Sequence, residues 1–277
     1  MSSNEAAVNP NKVLWEKGDF GQIAAVMRKG GQTLVDSLGV TRDMRVLDLG
    51  CGDGTTALPL ARTGAEVVGI DIARNLVEAG NKRAQEAGLT NISFHEGDAC
   101  NLAGVADDSF DLVLSVFGAM FAPQPVAVAK EVVRVAKPGG RVVMGNWIPG
   151  DPTYVAQMFQ ITSAYSPPTP EGFISPMMWG LEDSVLERFG QAGIPPERVS
   201  MRKDTFIFDS PDHSPERMVD IFRNYFGPVM NAFACAQSDG EEQRLYDELL
   251  DLSTKHNQSK QGGILIPATF MRVEVSV

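Results

Sequence analysis

The apolar residues between positions 45 and 147 fall into short runs that alternate with longer amphipathic stretches. Short apolar runs are typical of buried strands, whereas apolar residues spaced three or four apart are typical of helices. This pattern predicts five strands, at residues 45–49, 66–70, 92–96, 111–116 and 141–147. Runs that are apolar on both faces and separated by helices indicate a parallel sheet covered on both sides. The predicted fold class is therefore α/β, with a doubly wound sheet.

The chain on either side of this region has a less regular pattern. Residues 1–12 are polar and predict a frayed end, and residues 14–38 predict two helices interrupted at Gly30-Gly31. Residues 149–176 are rich in proline and aromatic residues, which indicates an ordered loop or lid. No linker rich in Pro, Gly and Ser divides the chain, so we expect a single domain. The remaining predicted elements are helices at residues 181–192, 215–236 and 241–256, and strands at residues 199–208 and 269–277.

Composition excludes several classes of partner. The 35 acidic and 24 basic side chains give a net charge of −11, which disfavours nucleic acids and anionic membrane surfaces. The longest mainly apolar stretch, residues 112–122, is shorter than the roughly 20 residues that cross a membrane. Three cysteines without a CxxC motif or histidine-based metal spacing indicate reduced thiols and no metal site. We therefore expect a cytoplasmic protein, monomeric or homodimeric, that acts on a small molecule.

The most informative segment, residues 46–54, reads Val-Leu-Asp-Leu-Gly-Cys-Gly-Asp-Gly between a predicted strand and a predicted helix. Glycines at such a junction permit a sharp turn and let a ligand approach the backbone. A tight connection that binds nothing is the simpler alternative. The G-x-G-x-x-G fingerprint of dinucleotide-binding proteins fails here, because the third position after Gly52 is Thr55.

Three aspartates lie at the ends of successive predicted strands. Asp48 precedes the glycines, Asp71 ends the second strand and Asp98 follows the third. The carboxyl ends of parallel strands meet at one edge of an open sheet, where ligands bind. A carboxylate at the end of the second strand suits ribose hydroxyls, although Asp71 can instead cap the helix that follows. Together with Asp53, these acids favour a ligand with positive charge and hydroxyls, such as an aminoacyl sulfonium nucleoside, over a pyrophosphate.

These residues resemble the class I S-adenosylmethionine-dependent methyltransferases over about residues 40–147. The resemblance implies a Rossmann-like seven-stranded sheet, mostly parallel with the last strand antiparallel. It also implies a core at residues 40–147 that binds S-adenosylmethionine and releases S-adenosylhomocysteine, within one methyltransferase domain at residues 1–277. Cap helices are expected at residues 1–39, and a lid, C-terminal helices and an edge hairpin at residues 148–277. The matching positions are Asp48, Gly50, Gly52, Gly54, Asp71, Asp98, the strand motif at 110–115 and the turn at 134–140.

The resemblance also implies which residues bind the cofactor. Asp71 is expected at the ribose hydroxyls, Ile72 beside the adenine, and Asp98 at the adenine amino group. Segments at residues 15–20, 117–123, 146–149 and 226–228 are similar to UbiE-like small-molecule methyltransferases, which implies a substrate pocket under the lid but no particular acceptor. The full set of expected cofactor-binding residues is Asp48, Gly50, Cys51, Gly52, Asp71, Ile72, Asp98, Ala99, Ser115 and Val116.

Methyl transfer needs a general base only when the accepting atom must lose a proton. No residue has the pattern of such a base: His95 lies in a strand, His213 in a turn and His256 at a helix end, so the catalytic residues stay unassigned. Aromatic and methionine side chains near the strand ends indicate, as a set, an apolar acceptor, although core packing is the better explanation for any single one of them. The candidate substrate residues are Phe20, Phe117, Met120, Trp147 and Tyr225, with Tyr154, Tyr165, Phe173, Met177, Met178 and Trp179 on the lid.

The sequence thus predicts S-adenosylmethionine-dependent methyl transfer, by in-line displacement, to O, N or C of an apolar or aromatic small molecule. Two alternatives stay open. A nicotinamide-dependent oxidoreductase is disfavoured by the failed fingerprint and by Asp48 and Asp98. A module that binds S-adenosylmethionine without turnover is the other, since no base is identifiable.

Overall fold

The computed structural model describes residues 9–167 and 171–277. Its centre is a seven-stranded sheet in the order β3-β2-β1-β4-β5-β7-β6. The five strands from β1 to β5 are parallel, β7 is antiparallel to β5, and β6 is antiparallel to β7. This confirms the predicted Rossmann-like fold with an antiparallel hairpin at one edge. The strands are β1 Arg45–Leu49, β2 Glu66–Asp71, β3 Ile92–Glu96, β4 Phe110–Val116, β5 Ala136–Trp147, β6 Val199–Ser210 and β7 Ile264–Ser276.

Helices join the strands and cover the sheet. Short 3-10 turns at Ala119–Phe121, Pro176–Gly180 and Pro196–Arg198 complete the described elements. None of the helices within the described ranges is both long enough and apolar enough to span a bilayer. The helices are α1 Pro10–Glu16, α2 Phe20–Asp36, α3 Ala57–Arg62, α4 Arg74–Glu86, α5 Pro125–Val135, α6 Tyr154–Ala164, α7 Glu182–Gln191, α8 Pro215–Tyr225, α9 Gly227–Ser238 and α10 Glu242–His256.

The strand order places the functional end of the sheet. β1 pairs in parallel with β2 on one side and β4 on the other. The strands β2 and β3 therefore extend the sheet to one side of β1, and β4 and β5 extend it to the other side. In open α/β sheets, ligands bind beyond the carboxyl ends of the strands at such a switch point. The glycine-rich segment lies there, directly after β1, and the ends of β2 and β4 flank it.

The N-terminal helices differ from the prediction. The expected frayed end is wrong at its inner part: α1 begins at Pro10 and is capped by Asn9, whose side chain accepts a hydrogen bond from Asn11 N. Residues 1–8 lie outside the described residues. The predicted break at Gly30-Gly31 is also wrong, because α2 runs through both glycines. A Cβ at Gly30 would lie 2.6 Å from the carbonyl oxygen of Ile207 on β6. Glycine here allows a helix to pack closely on a strand rather than ending the helix.

The C-terminal half has two further differences. Residues 215–236 form two helices instead of one, because the chain leaves helical geometry at Phe226 and restarts with Pro228 in the first turn of α9. The proline-rich region 149–176 contains the helix α6, which the sequence reading missed. Residues 168–170 of the expected lid lie outside the described residues.

The edge hairpin extends further than the predicted strand at 269–277. β7 begins at Ile264 and pairs with β6 up to Ser210. Its other neighbour, β5, ends where Trp147 pairs with Phe270. Pro267 therefore lies where β7 has a partner on one side only, a position at which a proline costs the sheet little. This proline is why the strand could not be recognised from its alternation alone.

Candidate active site

The turn after β1 has a backbone that only glycine adopts readily. The φ angles are +67° at Gly50, +54° at Gly52 and +89° at Gly54, all in the left-handed region. A Cβ on Gly50 would lie 2.7 Å from the Cα of Gly118, so the turns after β1 and β4 touch through their backbones. At Gly52 the nearest atom to such a Cβ would be Phe20 Cδ1 at 4.0 Å, because this position faces a cavity. The turn therefore leaves open the space that a side chain would otherwise fill.

Asp71, at the end of β2, is bound to that turn. Its Oδ2 accepts a hydrogen bond from Gly52 N at 2.8 Å, and its Oδ1 accepts one from Ala73 N at 2.9 Å. Burial raises the pKa of Asp71 above its ordinary value, while these backbone donors act in the opposite direction. Asp71 lines the cavity beside Ile72. The carboxylate thus holds the glycine turn in place and also reaches the cavity.

Asp48 lies behind the turn rather than on the cavity wall. It is buried on β1, and its Oδ2 accepts a hydrogen bond from Thr56 Oγ1 at 2.6 Å. Its Oδ1 has no hydrogen-bond partner among the described residues. Burial is the largest cause that raises the pKa of Asp48 to about 7, and the neighbouring Asp71 adds to it. A buried carboxyl oxygen without a partner is costly, and it lies directly beneath the expected ligand site.

The third acid, Asp98, lines the same cavity as Asp71, together with Ala99. Its Oδ1 accepts a hydrogen bond from Cys100 N at 2.8 Å. Its Oδ2 accepts one from Asn9 Nδ2 at 3.3 Å, which joins the start of α1 to the end of β3. Two of the three predicted aspartates are therefore together on the cavity wall, and the third supports the turn between them.

Asp53 is not an isolated negative charge at the mouth. Only 3% of its side chain is exposed, and it forms ion pairs with Arg28 at 3.2 Å and Arg83 at 3.0 Å. The two arginines come from α2 and α4, so this carboxylate fastens two helices to the glycine turn. Asp53 contributes much less negative potential to the cavity than its sequence position suggests.

The remaining expected cofactor residues lie at the same strand ends. Ser115 is buried on β4, where its Oγ donates to Leu49 O at 2.7 Å and accepts from Ala119 N at 3.0 Å. It is thus a link between β1 and β4 and lies behind the wall, whereas Val116 and Cys51 line the cavity. Burial raises the pKa of the Cys51 thiol well above its ordinary value, so this thiol is neutral.

The other half of the cavity is lined by aromatic rings. Phe117 has a left-handed backbone, with φ +59°, and stacks on Trp147 with ring centroids 3.7 Å apart and an interplanar angle of 11°. Phe206 approaches Phe117 edge-on at 5.0 Å and 87°. The described rings on the cavity wall are Trp15, Phe20, Phe117, Phe121, Trp147, Phe159, Phe206, Phe208, Phe222 and Phe226.

The candidate substrate residues divide into two groups. Phe20, Phe117 and Trp147 line the cavity, whereas Met120 and Tyr225 lie outside its described lining. The lid candidates also lie outside it: Tyr154 is buried against Ser253, and Phe173 is 55% exposed. The other lid candidates outside the lining are Tyr165, Met177, Met178 and Trp179.

Several of the residues that line the aromatic half of the cavity were not predicted from the sequence as substrate residues. Phe206 and Phe208 occupy alternate positions of β6, and Phe222 and Phe226 are four residues apart at the end of α8. Phe206, Phe208 and Phe222 were interpreted only as part of a strand and a helix. Phe226 was named only within the segment 226–228 that resembles the UbiE-like subgroup. α6 adds Val155, Met158 and Phe159, which were hidden by the expectation of a loop.

The three histidines lie away from the described lining. His95 Nε2 is 3.0 Å from Ser93 Oγ on the exposed side of β3, and His213 Nδ1 is 2.6 Å from Ser210 Oγ. His256 ends α10. The structure therefore adds no histidine to the candidate site.

Comparisons with known proteins place this architecture in a family. The profile of a family described as "Methyltransferase domain" matches residues 40–166. An uncharacterized protein of Mycobacterium tuberculosis H37Rv is 33% identical over 235 residues, which cover 84% of this chain and 82% of that protein. The methyltransferase GfsG of Streptomyces halstedii is 38% identical over 117 residues, or 42% of each chain.

Two other comparisons agree. The demethylmenaquinone methyltransferase of Renibacterium salmoninarum is 35% identical over 120 residues, which cover 43% of this chain and 48% of that protein. The crystal structure of a proposed methyltransferase from Bacillus halodurans has a TM-score of 0.57 at 15% identity, and the match covers 88% of this chain and 97% of that one. The latter likeness concerns the fold alone. The matched domain, the methyltransferase relatives and the glycine turn flanked by aspartates show that the chain belongs to the class I S-adenosylmethionine-dependent methyltransferases.

Proposed function

We propose that the protein transfers the methyl group of S-adenosylmethionine to O, N or C of an apolar or aromatic small molecule. The observation that carries this proposal is the division of one cavity into two halves. One half is formed by polar backbone and aspartates at the strand ends, and the other by ten aromatic rings. Both sets of residues line one continuous cavity, which supports a cofactor and an acceptor side by side.

The residues of the polar half fit the methyl donor. The turn at Gly50–Gly52 leaves open the space on its cavity side, which suits the aminoacyl part of the ligand, while its own N–H groups donate to Ile70 O and Asp71. Asp71 would hold the ribose hydroxyls, Asp98 the adenine amino group, and Ile72 and Ala99 the faces of the ring. Cys51 and Val116 would add contacts from the wall, with Asp48 and Ser115 acting behind it as supports.

The bound donor supplies a methyl carbon already activated by a positively charged sulfur. The protein's own residues then have three tasks. They orient the acceptor in line with that carbon, exclude water, and hold the accepting atom at a fixed distance from the methyl carbon. Alignment of this kind is worth roughly 7–11 kcal/mol of the barrier. Phe117 is well placed for it, because it immediately precedes Gly118, which touches Gly50, and stacks on Trp147 in the aromatic half.

The aromatic half supports assignment to the UbiE-like small-molecule subgroup. Its described rings come from the helices α1, α2, α6 and α8, from the segment after β4, from the strands β5 and β6, and from Phe226 between α8 and α9, so elements on both sides of the core enclose the acceptor. The chemistry of a nicotinamide cofactor has no corresponding support, since the turn lacks the third glycine of that fingerprint.

Calorimetric titration with S-adenosylmethionine tests the cofactor assignment. We expect binding to the natural protein and loss of binding in Asp71→Ala, with unchanged circular dichroism. Asp43→Ala, an exposed aspartate distant from the cavity lining, is the matched control and retains affinity. Unchanged affinity in Asp71→Ala would refute the assignment. Transfer of a radiolabelled methyl group into a metabolite extract then separates a methyltransferase from a module that only binds the cofactor.

A further inference from the structure

Among the described residues, the aromatic half of the cavity contains no ionisable side chain. Within residues 9–167 and 171–277, the ionisable side chains on the cavity wall are Cys51, Asp53, Asp71 and Asp98. All four lie on the turn after β1 or at the ends of β2 and β3, which is the cofactor half. The wall described for the other half consists of Phe, Trp, Met, Val, Ile and Ala side chains together with Asn11, whose amide oxygen accepts a hydrogen bond from Trp15 Nε1.

These four ionisable groups are already engaged. Asp53 is paired with Arg28 and Arg83, and Asp71 accepts hydrogen bonds from Gly52 N and Ala73 N. Asp98 accepts from Cys100 N and Asn9. The Cys51 thiol has a raised pKa and is neutral. In the proposed complex Asp71 and Asp98 face the cofactor, so none of the four is placed to act as a base for an acceptor that lies among the rings.

The aromatic half also offers no positive side chain. No Lys or Arg lines the cavity among the described residues. An acceptor that enters as an anion would lose its hydration without gaining a cationic partner from the protein, which is costly. The chain's net charge of −11 opposes the entry of an anion further. A neutral alcohol, phenol or carbon acid would instead require a base, which this wall does not supply.

An amine that has lost its ammonium proton to bulk water before it enters meets none of these obstacles, and we propose that the acceptor is a lipophilic secondary or tertiary amine methylated on nitrogen. This inference rests on the proposed function and specifies its substrate class. The nitrogen lone pair forms the new N–C bond while the methyl–sulfur bond breaks, and its electron pair passes to sulfur as a neutral thioether. The positive charge moves to nitrogen. A secondary amine loses its proton to water after release, so no protein base takes part.

The aromatic wall suits the charge that this reaction leaves behind. The faces of Trp and Phe rings attract cations, and they do so more strongly where water is excluded. Phe117, Trp147 and Phe206 form a mutually packed group, with Phe206 edge-on to both other rings at 5.0 and 6.4 Å. Phe117 immediately precedes Gly118, whose backbone touches Gly50, so this group is joined directly to the cofactor turn. An ammonium product would therefore form in contact with the aromatic rings of the wall.

A matched pair of ligands tests the preference for a cation. The protein is loaded with S-adenosylhomocysteine and titrated with (4-hydroxymethyl)benzyltrimethylammonium, and separately with 4-neopentylbenzyl alcohol, which replaces N⁺ by carbon in the same shape. We expect the ammonium ligand to bind about fivefold more tightly, in line with the usual strength of cation–π contacts. Equal or tighter binding of the neutral ligand, or binding of neither, would overturn the proposal.

Two variants locate the effect. Phe206→Leu keeps an apolar side chain but removes a ring from the wall. The ratio of the dissociation constants of the neutral and the ammonium ligand should therefore fall from about five towards one. Phe189→Leu removes an equally buried ring on α7 that does not line the cavity, and should leave the preference unchanged. Equal effects of both substitutions would mean that the preference arises from general loosening of the core, and would contradict an aromatic cation site.

A second experiment separates this proposal from the proposed function. Radiolabelled S-adenosylmethionine is incubated with the protein and either N,N-dimethylbenzylamine or 4-isopropylphenol. We expect label in the amine and none in the phenol. Label in the phenol alone, or in neither while calorimetry shows that the cofactor binds, overturns the amine assignment and leaves the methyltransferase assignment intact. Failure of the cofactor to bind would instead refute the proposed function itself.

Discussion

The ring of Phe117 lies parallel to the indole of Trp147, with centroids 3.7 Å apart, while the Phe117 backbone has φ +59°. A large side chain in the left-handed region is strained by about 1–2 kcal/mol. Such strain is retained at sites where the surrounding structure and function fix one geometry. Here it directs the ring from the end of β4 towards the neighbouring strand β5, between the two halves of the cavity.

This geometry predicts an unusual order of stability at position 117. Phe117→Gly should be at least as stable as Phe117→Ala, because glycine relieves the left-handed strain that alanine retains. Phe110, a buried ring at the start of the same strand, is the control, and there glycine should be less stable than alanine by about 0.5–1 kcal/mol. Urea unfolding of the four variants measures both differences. The same order at both positions would contradict a strained Phe117.

Gly52 gives a prediction that separates folding from binding. Gly52 and Gly88 both have left-handed φ angles, of +54° and +66°, but only Gly52 lines the cavity. Alanine at either position should lower the free energy of unfolding by about 1 kcal/mol, because both substitutions carry the same backbone penalty. Only Gly52→Ala should also weaken binding of S-adenosylmethionine, by tenfold or more. Calorimetry and urea unfolding of both variants test this, and similar affinities would show that the Gly52 position is not a ligand contact.

The raised pKa of Asp48 predicts that the free energy of unfolding depends on pH. Its folded-state pKa of about 7 exceeds the ordinary value of 3.8, so the folded state holds a proton that the unfolded state releases. The free energy of unfolding contributed by Asp48 should therefore decrease as pH rises from about 4 to about 7, and change little above that. Asp48→Asn removes this contribution. The difference between the two proteins in urea unfolding at pH 4.5 and pH 7.5 isolates it from the surface carboxylates, and an identical difference at both values would contradict the buried, protonated Asp48.

The two arginines that pair with Asp53 should contribute unequally to the free energy of unfolding. The side chain of Arg83 is 22% exposed and that of Arg28 is 46% exposed, although both reach the same buried carboxylate. Arg83→Met should cost about 2 kcal/mol, somewhat less than the loss of a fully buried partner, whereas Arg28→Met should cost 1 kcal/mol or less. In an Asp53→Asn background both costs should shrink, because no buried charge then lacks a partner. Equal costs in the two backgrounds would show that the arginines act through packing alone.

The regular part of the fold was readable from the sequence because its signals are local. β1 and β3 have the predicted bounds, and the turn at Gly50–Gly54 follows directly from its glycines. Asp71 could be placed at the ligand edge because the end of a parallel strand has a fixed location in such a sheet. These inferences needed only the period of the pattern and the geometry of the α/β unit.

The rest depended on contacts between distant parts of the chain. Gly30 looked like a helix break because nothing in the local sequence indicates that β6 packs against it. Asp53 looked like a free charge because its partners, Arg28 and Arg83, lie on two other helices. The aromatic wall draws one or two rings from each of several elements, so no single window of sequence contains its pattern.

The backbone contact between Gly50 and Gly118 has a consequence for how the affinities of the two ligands depend on each other. The first glycine belongs to the cofactor turn, and the second immediately follows Phe117 in the acceptor half. A Cβ on either would lie within 2.7 Å of the other turn, so neither turn has room to shift alone. A ligand that moves one turn must move the other, and the two affinities are then linked. By thermodynamic reciprocity, the factor by which the cofactor changes acceptor affinity equals the factor by which the acceptor changes cofactor affinity.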